Sequence, residues 1–447
     1  MKTKPYVNDV NLNTLEDWLN WLETLHPKEI ELGLDRIRCV LDKLSLAELP
    51  FRTIIVGGTN GKGSCVAMLD SIYRCAGYRV GAFTSPHLWR FNERIRFNGQ
   101  EIFDEPLIEL FRCIEDARGL TTLSYFEYSV VAALLYFVRN KVELALLEVG
   151  LGGRLDAVNT IDADASLVVS VELDHQDWLG KDRESIGREK AGIFRSGRPA
   201  VVADRNPPKS LLIHAQQLGS SLRLIGRDFD SSGTRGIWNY KGWGLSKENL
   251  PIPSFGGQEQ LDNMAGCLAI IESMDECLPV ELPVIPRGLS AAQLAGRTDR
   301  HVRGDVEWIF DVAHNPAAAQ VFADEVIQFP SPRYTWAILA IMRDKDLSGV
   351  VAPFIDVVDR WIVTSTDSER SVNAEILGGL METEGASNVC SLADVMAACK
   401  LVGRLAESGH RVLVFGSFYL VGPAMTALAL YSASSQTGDQ SARWTCT

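Results

Sequence analysis

The segment Gly57-Gly58-Thr59-Asn60-Gly61-Lys62-Gly63-Ser64 holds the residue types that cradle a phosphate chain. Glycines let backbone N–H groups turn inward on anionic oxygens, Lys62 can reach β- and γ-phosphate oxygens, and a hydroxyl can face a metal ion. The spacing departs from the common G-x-x-x-x-G-K-[ST] loop, because the glycines before Gly61-Lys62 stand closer and Ser64 comes one position late, after Gly63. An ordinary Gly-rich turn is the alternative; Gly, Lys and Ser all falling between a strand pattern and a helix pattern favours the cradle. Magnesium takes oxygen ligands and keeps waters, so single carboxylates and hydroxyls at neighbouring strand ends are its expected protein ligands. Glu148 closes the apolar run LALLEVG, Asp174-His175 follows SLVVSVE, and Ser85 follows a third strand in Thr84-Ser85-Pro86-His87. Each has a plain structural reading as well: a solvated carboxylate, a structural histidine, a turn serine. Lys190, in GREKAGIF, reads from the residues alone as a solvated lysine on a charged helix face.

Such groups need strands that end together. Runs of strand character recur at 52–58 (RTIIVGG), 78–83 (YRVGAF), 142–150 (VELALLEVG) and 165–172 (ASLVVSVE), with helical patterns between them. This alternation predicts an α/β fold with a doubly wound, mainly parallel sheet, in which ligands collect at the carboxyl ends of strands. The segment YSVVAALLYFV is far shorter than the roughly 20 residues of a membrane span and predicts a buried helix. Residues 222–260, rich in Gly, Ser, Trp and Asn, predict a small antiparallel excursion or a long loop. A second alternating series follows, with VEWIFDVA at 306–313, RYTWAILAIM at 333–342, DRWIVTST at 359–366 and HRVLVFGS at 410–417. It predicts a separate, smaller α/β domain. The Gly- and charge-rich stretch AGRTDRHVRGD at 295–305 is the expected boundary, dividing the chain into 1–297 and 298–447. The Ser-rich end, 432–447, is expected to be a disordered tail.

Composition narrows the classes further. The chain has 447 residues, 46% hydrophobic and 23% charged, enough for two or three globular domains. Its 57 acidic residues against 44 basic ones give a net charge of −13, which argues against a general footprint for nucleic acid but leaves room for a local basic cleft. Nine cysteines without CxxC pairing point to reduced thiols, and the N-terminal residues turn polar where a signal peptide would need an apolar stretch. A cytoplasmic protein with no membrane partner is expected.

The segments GTNGKGS, TSPHL, EVGLGGRLDAVN, LDHQDWLG, GREKAGIF and DVAHNPAA together resemble the bifunctional dihydrofolate synthase/folylpolyglutamate synthase family of the Mur-ligase superfamily. The likeness runs in order from WLETLHPKEIELGLDRI to VFGSFYLVG, nearly the whole chain. It implies a P-loop ATPase domain followed by a Rossmann-like ligase domain, and addition of L-glutamate to 7,8-dihydropteroate and to tetrahydrofolate through an acyl phosphate, releasing ADP and phosphate. The resemblance assigns ATP to Thr59, Asn60, Gly61, Lys62, Gly63 and Ser64, joined by Asn263, Arg297, Asp311 and His314. It assigns two magnesium ions to Ser85, Glu148 and His175, and makes Lys190 a carbamylated, carboxylate-like group near them. Lys62, Glu148, His175 and Lys190 are then the catalytic set. The acceptor would meet Glu31, Leu32, Gly33 and Leu34, then Ser124, Tyr125, Phe126 and Glu127, then Leu155, Asp156 and Ala157. A monomer that closes on its nucleotide is implied. Two places depart from the family pattern: an aromatic and Gln usually follow LPGR, where this chain has Leu294-Ala295-Gly296-Arg297-Thr298-Asp299, and an Arg-Gly/Ala-rich loop is replaced by Asp367-Ser368-Glu369-Arg370-Ser371. The rivals are a peptidoglycan ligase of the same superfamily and a nucleotide-gated binding protein; the HPKEIELGL and SYFEY segments disfavour the first, and Glu148, His175 and Lys190 together disfavour the second.

Overall fold

Runs of leucine, isoleucine and valine that are buried on both faces make the centre of an eight-stranded sheet. In the computed structural model, which describes residues 12–26, 31–234, 236–255 and 260–430, the strands are β1 (Arg52–Gly57), β2 (Val80–Phe83), β3 (Ile95–Phe97), β4 (Gln100–Glu101), β5 (Leu144–Glu148), β6 (Ala165–Val168), β7 (Pro199–Val202) and β8 (Ser221–Leu224). The tail at 432–447 and residues 27–30 of the HPKEIELGL segment lie outside the described residues. The sheet order is β4-β3-β2-β5-β1-β6-β7-β8, parallel from β2 through β8, with β3 and β4 antiparallel at the edge. Alternation along the strands splits the side chains between two cores. Ile55, Ala145 and Leu147 pack with the helices Asp104–Arg118 and Tyr125–Arg139; Ile54, Val56, Leu144 and Leu146 pack with Lys62–Cys75, Gln260–Ser273 and Val284–Ala291. Burial of both faces is why these strands are continuous apolar runs and not alternating ones.

The Tyr125–Arg139 helix is the expected buried helix, opened by a capping box in which Ser124 and Glu127 each accept the other's backbone N–H. The glycine- and tryptophan-rich stretch folds as a three-stranded antiparallel sheet of β9 (Asp230–Thr234), β10 (Ile237–Lys241) and β11 (Ser246–Pro251), while its first residues belong to β8 of the large sheet.

By Cα proximity the chain forms two compact units, Met1–Leu294 and Ala295–Thr447, so Arg297 sits in the second. That unit carries a six-stranded sheet of β12 (Asp299–Arg303), β13 (Val306–Asp311), β14 (Tyr334–Leu339), β15 (Arg360–Thr364), β16 (Val389–Leu392) and β17 (His410–Phe415), ordered β12-β13-β17-β14-β15-β16 and parallel except for β12. The stretch that looks like a charged linker is therefore partly an edge strand: β12 is polar because most of it stays exposed while it pairs with β13. The short edge strand β16, VCSL, escaped the sequence reading because four residues, three of them half-buried, carry neither an apolar run nor a clear alternation. The run 165–172 is strand only as far as Val168, because β1 leaves the sheet after Gly57 and later residues bond to its loop instead. Among the described residues no helix is long and apolar enough to cross a membrane.

Candidate functional site

β1 feeds residues 58–61 into the Lys62–Cys75 helix, whose N-cap is Gly61 in the left-handed region at φ 84°. A Cβ there would sit 2.8 Å from Val169 Cγ1 and 2.9 Å from both polar atoms of the Asn263 side chain, so conformation and space both require glycine. The same contact places Asn263 over the loop. Residues beyond β6 hold the loop in shape: Thr59 N–H donates to Ser170 O (2.7 Å), Asn60 N–H to Ser170 Oγ (3.0 Å), and Thr59 Oγ1 accepts from Glu172 N–H (2.9 Å). Lys62 Nζ donates to Gly58 O and Thr59 O, each at 3.0 Å, and the buried Ser64 hydroxyl has no partner among the described residues. An orphaned hydroxyl at a helix N-terminus beside a lysine is the donor arrangement a phosphate and its cation would complete.

β5 and β6 flank β1, so Glu148 and the turn 172–175 stand on either side of the loop. Glu148 is buried; its Oε2 accepts from Ser85 N–H at 3.1 Å, and its oxygens lie 3.7 and 3.8 Å from where a Gly63 Cβ would be. His175 adopts φ 49° and ψ 40° at the start of the Gln176–Leu179 helix, with its N–H bonded to Asp174 Oδ1 (2.8 Å). Among the described residues no three His, Cys, Asp or Glu side chains group as a cage. A hydroxyl, a carboxylate and an imidazole beside a phosphate loop suit an ion that takes its remaining ligands from water and substrate oxygens.

Lys190 corrects the residue-level reading: it is 3% exposed. The Gly-rich turn after β5 lies flush on the Arg183–Ala191 helix, where a Cβ on Gly153 would be 2.8 Å from Glu189 O and Arg154 N–H donates to that same carbonyl. Burial pushes the Lys190 amine down to about 7; the Lys62 charge adds to this, while Asp174 and Asp156 oppose it. Asp156 is pushed up to about 7 by burial, although it accepts from Leu151 N–H (2.8 Å) and Val158 N–H (3.0 Å). Its carboxylate thus shapes the turn that also carries Leu155 and Ala157.

The three segments that the resemblance assigns to the acceptor come together. Phe126 lies against Gly150, where a Cβ would be 2.6 Å from the ring, and its ring centroid is 5.7 Å from Phe83. Tyr125 packs edge-on to Phe91 at 5.6 Å beneath the Arg94 guanidinium. Glu31, in the half-buried turn with Leu32, Gly33 and Leu34, and Glu127 are joined by a residue the sequence reading missed: Arg36 lies 3.3 Å from Glu31 Oε1 and donates to Glu127 Oε1 at 3.1 Å.

In the second unit, Asp311 ends β13 and accepts from Thr298 N–H and Ala313 N–H, both 2.8 Å. Burial raises its pKa and the Arg297 charge opposes that rise. His314 Nδ1 donates to Val312 O (2.8 Å). Arg297 stands 5.3 Å over the Phe418 ring, and His314 lies 6.1 Å from the same ring. Phe418, just after β17, is the second residue missed; its signal was the VFGSFYLVG segment.

The sequence profile of the Mur ligase glutamate ligase domain matches residues 296–418. The dihydrofolate synthase/folylpolyglutamate synthase of Escherichia coli K12 is 40% identical over 415 residues, 93% of this chain and 95% of that protein. The structure of Escherichia coli FolC in complex with DHPP and ADP superposes with a TM-score of 0.88 at 40% identity, covering 94% of this chain and 98% of the other. A bifunctional folylpolyglutamate synthase/dihydrofolate synthase with Mn, AMPPNP and L-glutamate bound gives 0.85 at 38% identity, covering 93% and 98%. The ordered segments, the phosphate loop between Glu148 and His175, and these full-length likenesses agree: the chain belongs to the dihydrofolate synthase/folylpolyglutamate synthase family of Mur-type ligases.

Proposed function

We propose that this chain is an ATP-dependent amide-forming ligase that adds L-glutamate to 7,8-dihydropteroate, forming dihydrofolate, and to tetrahydrofolate, forming folylpolyglutamates. The observation that carries the reading is the phosphate loop beside the buried Glu148 and Lys190, in a chain matching the bifunctional Escherichia coli enzyme over 93% of its length. The complexes of relatives with DHPP, ADP, AMPPNP, manganese and glutamate support the same substrates here.

In the proposed reaction an acceptor carboxylate oxygen attacks the γ-phosphorus, and the bond to the β-bridging oxygen breaks to leave ADP and an acyl phosphate. Lys62 and the loop N–H groups offset charge on the transferring phosphoryl group. The neutral amine of glutamate attacks the acyl carbon, a proton leaves the nitrogen, and phosphate departs from the tetrahedral intermediate, giving the amide. Asn263, Arg297, Asp311 and His314 are proposed nucleotide contacts. Ser85, Glu148 and His175 would hold divalent cations, two in our reading, which when bound supply further charge neutralisation at the phosphates. An amine pushed down to about 7 keeps a reactive neutral fraction, so Lys190 can add to carbon dioxide, lose a proton and become an anionic carbamate facing that site. A cytoplasmic monomer completes the reading.

The test is ADP release by the purified protein with MgATP and glutamate, with dihydropteroate and tetrahydrofolate offered separately. Turnover of both is expected; turnover of neither overturns the reading. A substrate carboxylate labelled with heavy oxygen should deliver label into the released phosphate, and its absence there would exclude the acyl phosphate.

A further inference from the structure

We infer that His26 and Arg36 are positioning residues that set acceptor affinity by locking the turn Glu31–Leu34 to the amino end of the Tyr125–Arg139 helix. The inference rests on the acceptor-pocket reading above and adds two residues that the resemblance does not assign. His26 Nε2 lies 2.6 Å from Glu31 Oε2, and its Nδ1 lies 3.1 Å from Thr122 Oγ1. Arg36 donates through Nη2 to Glu31 O (2.8 Å) and to Glu127 Oε1 (3.1 Å), with Nη1 3.3 Å from Glu31 Oε1. Glu127 in turn accepts from Ser124 N–H at 2.7 Å. The contacts form a continuous chain, Thr122 to His26 to Glu31 to Arg36 to Glu127 to Ser124, that joins two segments 91 residues apart in sequence.

This chain has a consequence for binding. Residues 31–33 have no regular secondary structure, and Gly33 sits at φ 152°, so the turn is not held by helix or strand hydrogen bonds of its own. A turn fixed in advance spares the acceptor the loss of backbone freedom on binding. The His26 and Glu127 side chains are almost fully buried, 6% and 4% exposed, while Glu31 and Arg36 between them keep 32% and 23%, so water competes poorly at the His26 and Glu127 atoms of these bonds. Arg36 bonds two carboxylates and a carbonyl in a fork that a lysine can reproduce only in part. The carboxylates of Glu31 and Glu127 are therefore committed to shaping the pocket wall, and the acceptor feels them through that shape.

The full-length protein would be assayed as wild type, Arg36→Gln, Arg36→Lys and His26→Gln, varying each acceptor at saturating MgATP and glutamate. Arg36→Gln should raise KM for dihydropteroate roughly tenfold or more, leaving kcat within about twofold and KM for ATP unchanged. Arg36→Lys should recover part of the loss, and His26→Gln should shift the same parameter less. The double variant Arg36→Gln/Glu127→Gln should lose less than the two single effects combined, because the carboxylate stranded by the first change is gone. Should Arg36→Gln fail to fold, Arg36→Lys and His26→Gln carry the test. An unchanged acceptor KM, or a rise in the ATP and acceptor KM values together, overturns the inference. A wild type active on its acceptors with unaltered variants refutes the positioning role alone, whereas an inactive wild type refutes the pocket reading and this inference with it.

Discussion

The Glu148 carboxylate accepts a hydrogen bond from the Ser85 backbone N–H at 3.1 Å, tying the ends of the adjacent parallel strands β5 and β2. An amide oxygen can replace the carboxylate oxygen in that bond. Glu148→Gln keeps that bond and should fold, with a melting temperature within about 2 °C of wild type, a change worth no more than about 2 kcal/mol in a protein of this size. It removes the charge facing the loop. Turnover should fall by about 100-fold or more, and the divalent-ion concentration for half-maximal rate should rise. Wild-type turnover in this variant would remove Glu148 from the site.

Gly61 and Gly63 make a matched pair of tests two residues apart. Gly61→Ala forces φ 84° on a residue with a Cβ and drives that carbon to 2.8 Å from Val169 and 2.9 Å from Asn263. The expected loss is about 2 kcal/mol or more in urea unfolding, with ATP-analogue binding abolished in calorimetry. At Gly63 the nearest atoms to a new Cβ are the Glu148 oxygens at ordinary contact distance, so Gly63→Ala should keep the stability of wild type. Equal stability for the two variants would contradict the loop geometry.

What the sequence disclosed and what it hid divide along a physical line. Strands buried on both faces, such as LALLE, announce themselves as apolar runs, and the phosphate loop is visible because glycines, a lysine and hydroxyls cluster between a strand pattern and a helix pattern. Polar edge strands such as DRHVR pair on one side only and look like linker. Lys190 was misjudged from its neighbours because its burial comes from a turn near 153, far away in sequence, and only the family likeness suggested otherwise. Arg36 and Phe418 escaped because their partners, Glu127 in one case and Arg297 in the other, are brought to them by topology that no local spacing encodes.

Asp311 uses one carboxylate oxygen for Thr298 N–H and the other for Ala313 N–H. An asparagine has one acceptor and would aim its NH₂ at the second donor inside a buried site. Asp311→Asn should cost about 1–3 kcal/mol of stability and weaken nucleotide binding, whereas a change of Arg297 to Lys should leave stability nearly unaltered and raise KM for ATP. Calorimetric titration with an ATP analogue, paired with urea melts, separates the two. An Asp311→Asn protein as stable as wild type would mean that the paired backbone donors do not need both oxygens.

Lys190 makes stability depend on pH with a definite sign. Its amine falls from the ordinary 10.5 to about 7 on folding, chiefly through burial. Below about pH 7 both folded and unfolded chains hold the proton, and the folded state bears the full cost of a buried cation. Between 7 and 10.5 the unfolded chain keeps a proton that the folded chain has released, so the stability contributed by this group rises with pH across the window. Lys190→Met has no proton to release and keeps much of the side-chain volume. In buffer stripped of carbon dioxide it should be more stable than wild type at pH 7, by an amount on the order of 1–4 kcal/mol, and that advantage should shrink as pH approaches 10. The variant should also lose turnover at every pH, the usual opposition of stability and activity at a strained site. If the carbamate forms, added bicarbonate should raise wild-type activity without helping Lys190→Met, and a short carboxylate should partly restore Lys190→Ala. A Lys190→Met protein no more stable than wild type at pH 7 would show that the buried amine carries no such cost, and normal turnover in Lys190→Ala would remove the carbamate from the mechanism.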